Sequence, residues 1–262
     1  MKDAKRMPVV FAGHGSPMLA LADDEVARGL RAAGERIVGK FGKPKAMLAV
    51  SAHWYKPGTL VQSDPNPRQV FDMYGFPPEL YQVEYPAAGC PELSERVQGL
   101  LGERVSVDDG WGIDHGAWTV LVHMFPEADV PVVQLSVDST LPPEELYGIG
   151  QALAPLRDEG YLVFGSGNVV HNLGLVDWGR PDSASPETLS FNADIIERVT
   201  SGDVEGVLGY RDLPHASYAV PTPDHFLPLV YLLGAADGDS AEAFNDVCNL
   251  SSMAMTGFLF GC

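Results

Sequence analysis

The sequence predicts an α/β fold: a single domain over residues 1–262, with a central, largely parallel or mixed sheet flanked by helices. Three observations predict it. Short, apolar, β-rich runs recur along the chain, helical patterns stand between them, and no repeat, low-complexity tract or long charged linker divides it. A strand buried on both faces reads as a continuous apolar run, and such runs alternating with helices are the pattern of a parallel sheet covered on both sides.

Four runs read as buried strands: PVVFA at 8–12, AMLAVSA at 46–52, VPVVQLS at 130–136 and YLVFGS at 161–166. Between the first two, residues 23–39 carry apolar side chains at helical spacing. Residues 90–101 follow a glycine-containing turn as a helix with Leu93, Val97 and Leu100 on its inner face. Ser139 or Thr140 is the expected N-cap of a helix opened by Pro142, Pro143 and Glu144 and running to about Arg157. Thr222, Pro223 and Asp224 repeat that signal before HFLPLVYLLGA, where Pro228 is expected to kink or shorten the helix. The Pro/Gly-rich residues 56–91 read as an excursion over the sheet, and 174–185 as a polar surface loop.

Composition narrows the function. Hydrophobic residues make up 45% and charged residues 20% of the chain, ordinary for a globular protein. No stretch approaches the ~20 apolar residues that span a bilayer, so no membrane partner is expected. The apolar run after the basic start is broken at Gly13 and His14, too soon for a signal peptide, and a cytoplasmic protein is expected. A net charge of −18 argues against nucleic acid, whose phosphates require Lys/Arg-rich surfaces. Cys90, Cys248 and Cys262 are widely spaced and odd in number, which suggests neither a disulfide framework nor a cysteine zinc site.

The histidines carry the chemistry. Of seven, five lie beside Gly, Pro, Ser or Asn where strands should give way to loops: His14 in GHGSP, His53 in SAHW, His115 in DHGAW, His171 in GNVVHN and His225 in TPDHF. Any one alone is most simply structural, but open α/β sheets bind ligands at the carboxyl ends of their strands, where separate segments deliver imidazoles to one crevice. His123, inside an apolar helical run, and His215, in a polar stretch, read as structural. Imidazoles suit borderline divalent metals, and three of them leave coordination positions free for substrate. No HExxH, EF-hand, GxSxG, GxGxxG or Walker pattern is present, which removes the common hydrolase, calcium and nucleotide readings. Trp54, Tyr74, Phe76 and Trp118 are candidates for an aromatic pocket wall. Asn168 and Asn172 flank His171 and can orient its ring or cap a turn, Ser16 and Pro17 shape the turn after His14, and Gln134 and Asp138 belong to a strand end.

Seven strings in order, GHGSPM (13–18), SAHW (51–54), YGFPPELY with YPAAG (74–89), WGIDHGAW (111–118), VPVVQLSVD (130–138), GSGNVVHNL (165–173) and PTPDHFLPL (221–229), resemble the class III extradiol ring-cleaving dioxygenases, of the 4,5-DOPA dioxygenase type. The resemblance runs nearly end to end. It implies metal ligation by His14, His53 and His225, with His171 as acid/base or further ligand and His115 as substrate contact and proton carrier beside Trp54 and Trp118. It also implies one divalent ion, Fe(II) for dioxygenase activity, with Zn(II) as an occupant of the same site. The substrates implied are a small catechol and O2, acted on by a monomer or small homo-oligomer. The wider superfamily commonly uses two histidines and a carboxylate, whereas the third position here matches histidine. Asp224, beside it, reads as a first-turn acid of the following helix. Two other readings stand beside the dioxygenase: a zinc hydrolase on the same imidazoles, and a non-enzymatic binding protein on the same scaffold.

Overall fold

The computed structural model describes residues 6–262, so the first five residues of the basic start lie outside it. The predicted strands form with small shifts as β1 (Val9–Gly13), β2 (Met47–Lys56), β5 (Val132–Asp138) and β6 (Leu162–Gly167), joined by β3 (Thr59–Val61) and β4 (Val105–Val107). The C-terminal part adds β7 (Ala241–Phe244), β8 (Cys248–Asn249), β9 (Met253–Ala254) and β10 (Gly257–Phe260). Eight of them make one sheet in the order β4-β3-β5-β2-β6-β1-β10-β7, and β8 pairs with β9 alone. The central β5-β2-β6-β1 are parallel, while β10 runs antiparallel to β1 and β3 antiparallel to β5, so the sheet is mixed.

Successive residues of the central strands enter two different cores. Val9, Phe11, Leu48, Val50, Val133 and Val163 pack into one, with α2 (Pro91–Leu101), α4 (Pro143–Leu153), α5 (Pro186–Ser201), the short α6 (Val204–Leu208) and α7 (Ala216–Ala219), and α8 (Leu227–Ala236). Val10, Ala12, Met47, Ala49, Val132 and Leu162 pack into the other, with α1 (Glu25–Phe41) and α3 (His115–Met124). A three-layer arrangement follows, and it explains why the strand runs show no polar alternation.

Several boundaries differ from expectation for identifiable reasons. Helix α1 starts one residue after Asp24, whose carboxylate caps Ala27 N–H at 2.9 Å. Helix α4 takes Pro142 as its N-cap, because the Thr140 N–H and hydroxyl are both held by Asp138. It gives way at Ala154 to a 3-10 turn reaching Arg157, since Pro155 has no N–H for the α-helical ladder. Helix α8 begins at Leu227, so Pro228 occupies its first turn, where a missing donor costs nothing, and the helix is shorter than the start signal at Thr222 predicted. Asp224 therefore lies ahead of α8 and is not its first-turn acid. His123 is buried in α3 with Nε2 2.7 Å from the Leu19 carbonyl, and His215 is exposed at the N-cap position of the short helix Ala216–Ala219 in a left-handed conformation; neither lines the cavity shared by the other five. No described helix is long and apolar enough to cross a membrane.

Candidate metal centre

Four parallel strands end on one edge of the sheet, and the histidines gather there. His14 follows β1, its N–H donating to the Gly167 carbonyl at the end of β6 at 3.2 Å. Gly13 allows this turn to sit close under the C-terminal segment, because a Cβ there would lie 2.7 Å from the Met255 backbone. His53 lies within β2, which is longer than predicted; the register against β5 shifts between Val50 and Tyr55, and such an irregularity re-aims side chains. His115 opens α3 behind Asp114, a buried N-cap satisfied by Ser51, Trp111 and Gln134. Gln134 thus lies inside β5 and supports the site from below. His171 follows β6 by four residues, and the His225 carbonyl accepts Asn168 N–H at 2.8 Å just before α8.

The rings of His14, His53 and His225 form a nearly equilateral triangle, with centroids 5.0, 5.1 and 5.2 Å apart. His115 lies against His53 at 3.9 Å, and His171 stacks on His225 at 3.4 Å. The Nε2 atoms of His14 and His53 are 3.1 Å apart. One ring nitrogen from each of His14, His53 and His115 lies within 4.8 Å of the others, so that trio is close enough to share an ion; His225 does not belong to that group.

Nδ1 partners orient the rings. His14 Nδ1 meets Ser166 Oγ at 2.9 Å; because that hydroxyl donates to the Gly116 carbonyl, it accepts from the ring. One carboxylate, Asp72, takes Nδ1 of His53 at 3.0 Å and of His115 at 2.9 Å, and Asp224 takes Nδ1 of His225. With Nδ1 protonated, Nε2 carries the lone pair, the tautomer a metal ligand requires. His225 Nε2 is buried with no hydrogen-bond partner. Buried polar atoms are ordinarily paired, so an orphaned imidazole nitrogen among other imidazoles fits a cation.

Electrostatics agree with this use at His14 and His225 and oppose it at His53. Burial, reinforced by the charges His53 and His225 would carry, holds His14 well below the usual histidine pKa. Burial also lowers His225 despite Asp224, and burial with His225 pushes His171 down to about 2. At His53 burial acts in the same direction, but the Asp72 hydrogen bond and the Asp114 charge outweigh it and raise the pKa. Asp72 is itself held far below the carboxylate range: burial opposes this, but hydrogen bonds from His115 and His53 prevail.

A cavity of about 260 Å³ opens over the five histidines. Tyr74 and Phe76 line it as expected, but Trp54 and Trp118 do not. Trp54 is buried and stacks on Trp111, and Trp118 is buried with its indole N–H on the Val70 carbonyl at 2.9 Å. Trp118 thereby anchors the segment that presents Asp72, a correction to its expected place at the substrate. Asn168 donates to the Ala254 carbonyl, and Asn172 caps Gly174 and holds the Tyr218 carbonyl, so neither touches the His171 ring. Asp72 and Trp178 are among the site residues that sequence reasoning missed, as are Ser166, Leu173 and Met253. Neither Asp72 nor Trp178 stands in a pattern that marks it; the aspartate is visible only once the 56–91 excursion folds across the strand ends.

Residues 8–261 match the family model described as the catalytic LigB subunit of aromatic ring-opening dioxygenase. Over 238 residues the chain is 44% identical to an Escherichia coli (strain K12) protein named 4,5-DOPA dioxygenase extradiol, covering 89% of this chain and 86% of that one. A Beta vulgaris protein of the same name is 41% identical over 242 residues, covering 89% and 88%. A crystal structure of an Escherichia coli K12 protein described as uncharacterized superposes with a TM-score of 0.84 at 37% identity, covering 98% of this chain and all of that one. With a family model spanning nearly its whole length and relatives this similar across most of theirs, the chain belongs to the family of the catalytic LigB subunit of aromatic ring-opening dioxygenases.

Proposed function

We propose that the chain is one catalytic domain, residues 1–262, that opens a DOPA-like catechol beside its diol at a non-haem Fe(II) held by His14, His53 and His225. The observation that carries this reading is the orientation of the three rings: each Nδ1 is engaged by Ser166, Asp72 or Asp224, and the His225 Nε2 is buried and unpaired. His115 is near enough to His53 to share a cation, but the buried, unpartnered nitrogen of His225 favours the latter as the third ligand. Bound there, a redox-active divalent ion supplies Lewis acidity toward the catechol oxygens and a path for electrons between ring and O2.

The remaining residues bind and move protons. His171, stacked on His225 and lining the cavity, takes a proton from a catechol hydroxyl and returns it as the ring opens. His115, fixed by both its backbone N–H and its Nδ1 on Asp72, is the substrate contact and second proton carrier. The carbon–carbon bond beside the diol breaks, both oxygen atoms enter the product, and a muconic semialdehyde forms without an external reductant. All five histidines come from one chain, so a monomer suffices, and three free cysteines suit a reducing cytoplasm.

The all-imidazole donor set also suits Zn(II), whose redox-inert chemistry would be hydrolysis. Metal-depleted protein loaded anaerobically with Fe(II) or Zn(II), given a catechol and then air, separates the two. We expect stoichiometric O2 uptake and a yellow semialdehyde with Fe(II) alone; turnover with Zn(II) and no O2 consumption would sink the dioxygenase reading.

A further inference from the structure

A DOPA-like catechol that places its diol on the histidines turns its amino-acid end toward the rim of the cavity, where Tyr74, Phe76, Leu173 and Trp178 stand. None of the described lining residues is Lys, Arg, Asp or Glu. The nearby carboxylates are engaged. Asp72 holds His53 and His115, Asp224 holds His225, and Asp177 accepts from Arg180 Nε at 2.8 Å and from Gly179 N–H at 3.0 Å. An ammonium arriving here meets no free anion. It meets aromatic rings instead: among the described residues, Tyr74 and Trp178 are the two most exposed large hydrophobic side chains, at 92% and 68%, and both line this one cavity from separate segments of the chain.

We infer that Tyr74 and Trp178 are specificity-determining residues that hold the ammonium of an amino-acid catechol by cation–π contact. The inference rests on the ring-opening reading for the diol end and deepens it at the other end. The negative face of an aromatic ring attracts a cation without a carboxylate, and indole does so best. The carboxylate on the same carbon gains nothing from a ring face and stays in water beyond the rim. The net charge of −18 also favours a cation over an anion, but that field is diffuse and screened by salt, whereas a contact at the ring face is screened much less.

The test uses the full-length Fe(II)-loaded protein and anaerobic calorimetry, with L-DOPA, its N,N,N-trimethyl derivative and 3,4-dihydroxyphenylpropionate, which lacks the amine. L-DOPA is expected to bind about three- to tenfold more tightly than the propionate, a ratio that persists at high salt. The trimethyl derivative, which has no N–H to donate, should match or exceed L-DOPA. In Trp178→Leu the ratio of L-DOPA to propionate should fall toward one, and Trp178→Phe should restore part of it. Because the readout is a ratio within each variant, a general loss of affinity does not mimic the effect. Equal binding of L-DOPA and the propionate, a preference abolished by salt, a trimethyl derivative no better than the propionate, or an unchanged ratio in Trp178→Leu would each overturn the inference. The expected binding pattern without O2 uptake in air would leave it standing and remove the ring-opening reading instead; if no catechol binds, both fall.

Discussion

Asp72 shows how much of this site is decided one atom at a time. Its two oxygens hold one imidazole each, so a single carboxylate sets the ring planes of a proposed ligand, His53, and a proposed substrate contact, His115. Asp72→Asn keeps the size but leaves one oxygen where two anionic acceptors stood. We expect metal affinity to fall about 10–100-fold with an unchanged circular dichroism spectrum, the usual consequence of removing a hydrogen-bond partner behind a metal ligand. Alanine at His225 and at His115 separates their roles. His225→Ala is expected to lose bound metal by at least about tenfold, whereas His115→Ala should keep its metal and lose turnover; elemental analysis of purified variants gives the answer, and metal loss confined to His115→Ala would reverse the assignment. The five histidines were legible as residue types beside turn-forming neighbours. Asp72 was not, because it lies 43 residues before His115 in a segment without periodicity.

The elements aim these side chains through details of packing. The β2 strand runs on to Lys56, so His53 is held by a strand and not by a loop. Helix α8 is held close to α4 by two glycines: a Cβ on Gly150 would lie 2.0 Å from the Tyr231 carbonyl oxygen, and one on Gly234 would lie 2.1 Å from that of Tyr147. Both obstacles are backbone, which cannot step aside. Gly150→Ala is therefore expected to destabilise the protein by about 2 kcal/mol, overpacking outweighing the ~1 kcal/mol gained in helix propensity. Urea unfolding measures it, and an unchanged midpoint would contradict the close helix contact. That two helices far apart in the sequence meet through these glycines is invisible in either helix alone. The strand runs and most helix starts, by contrast, followed from local apolar pattern and capping chemistry.

At the scale of the molecule, the proposed ligands come from three places: the end of β1, the body of β2 and the approach to α8. An ion joining them ties together segments that separate on unfolding. At a free concentration 100 times its Kd, the metal should add about 2.7 kcal/mol to stability and raise Tm by roughly 5–8 °C. Calorimetry with and without chelator checks this, and an unshifted Tm would count against a resident ion. The sequence by itself determined the layered α/β class, because continuous apolar strands and amphipathic helices have few other ways to bury their surfaces. It also singled out the five histidines that come to line one cavity, and the ordered motifs carried the family resemblance. Only the tertiary structure decided which carboxylates orient those rings, that Trp54 and Trp118 pack away from the cavity while Trp178 faces it, and that β10 enters the sheet antiparallel beside β1. Those are contacts between distant segments: their energy depends on distance and direction in space, and a local pattern carries no record of either.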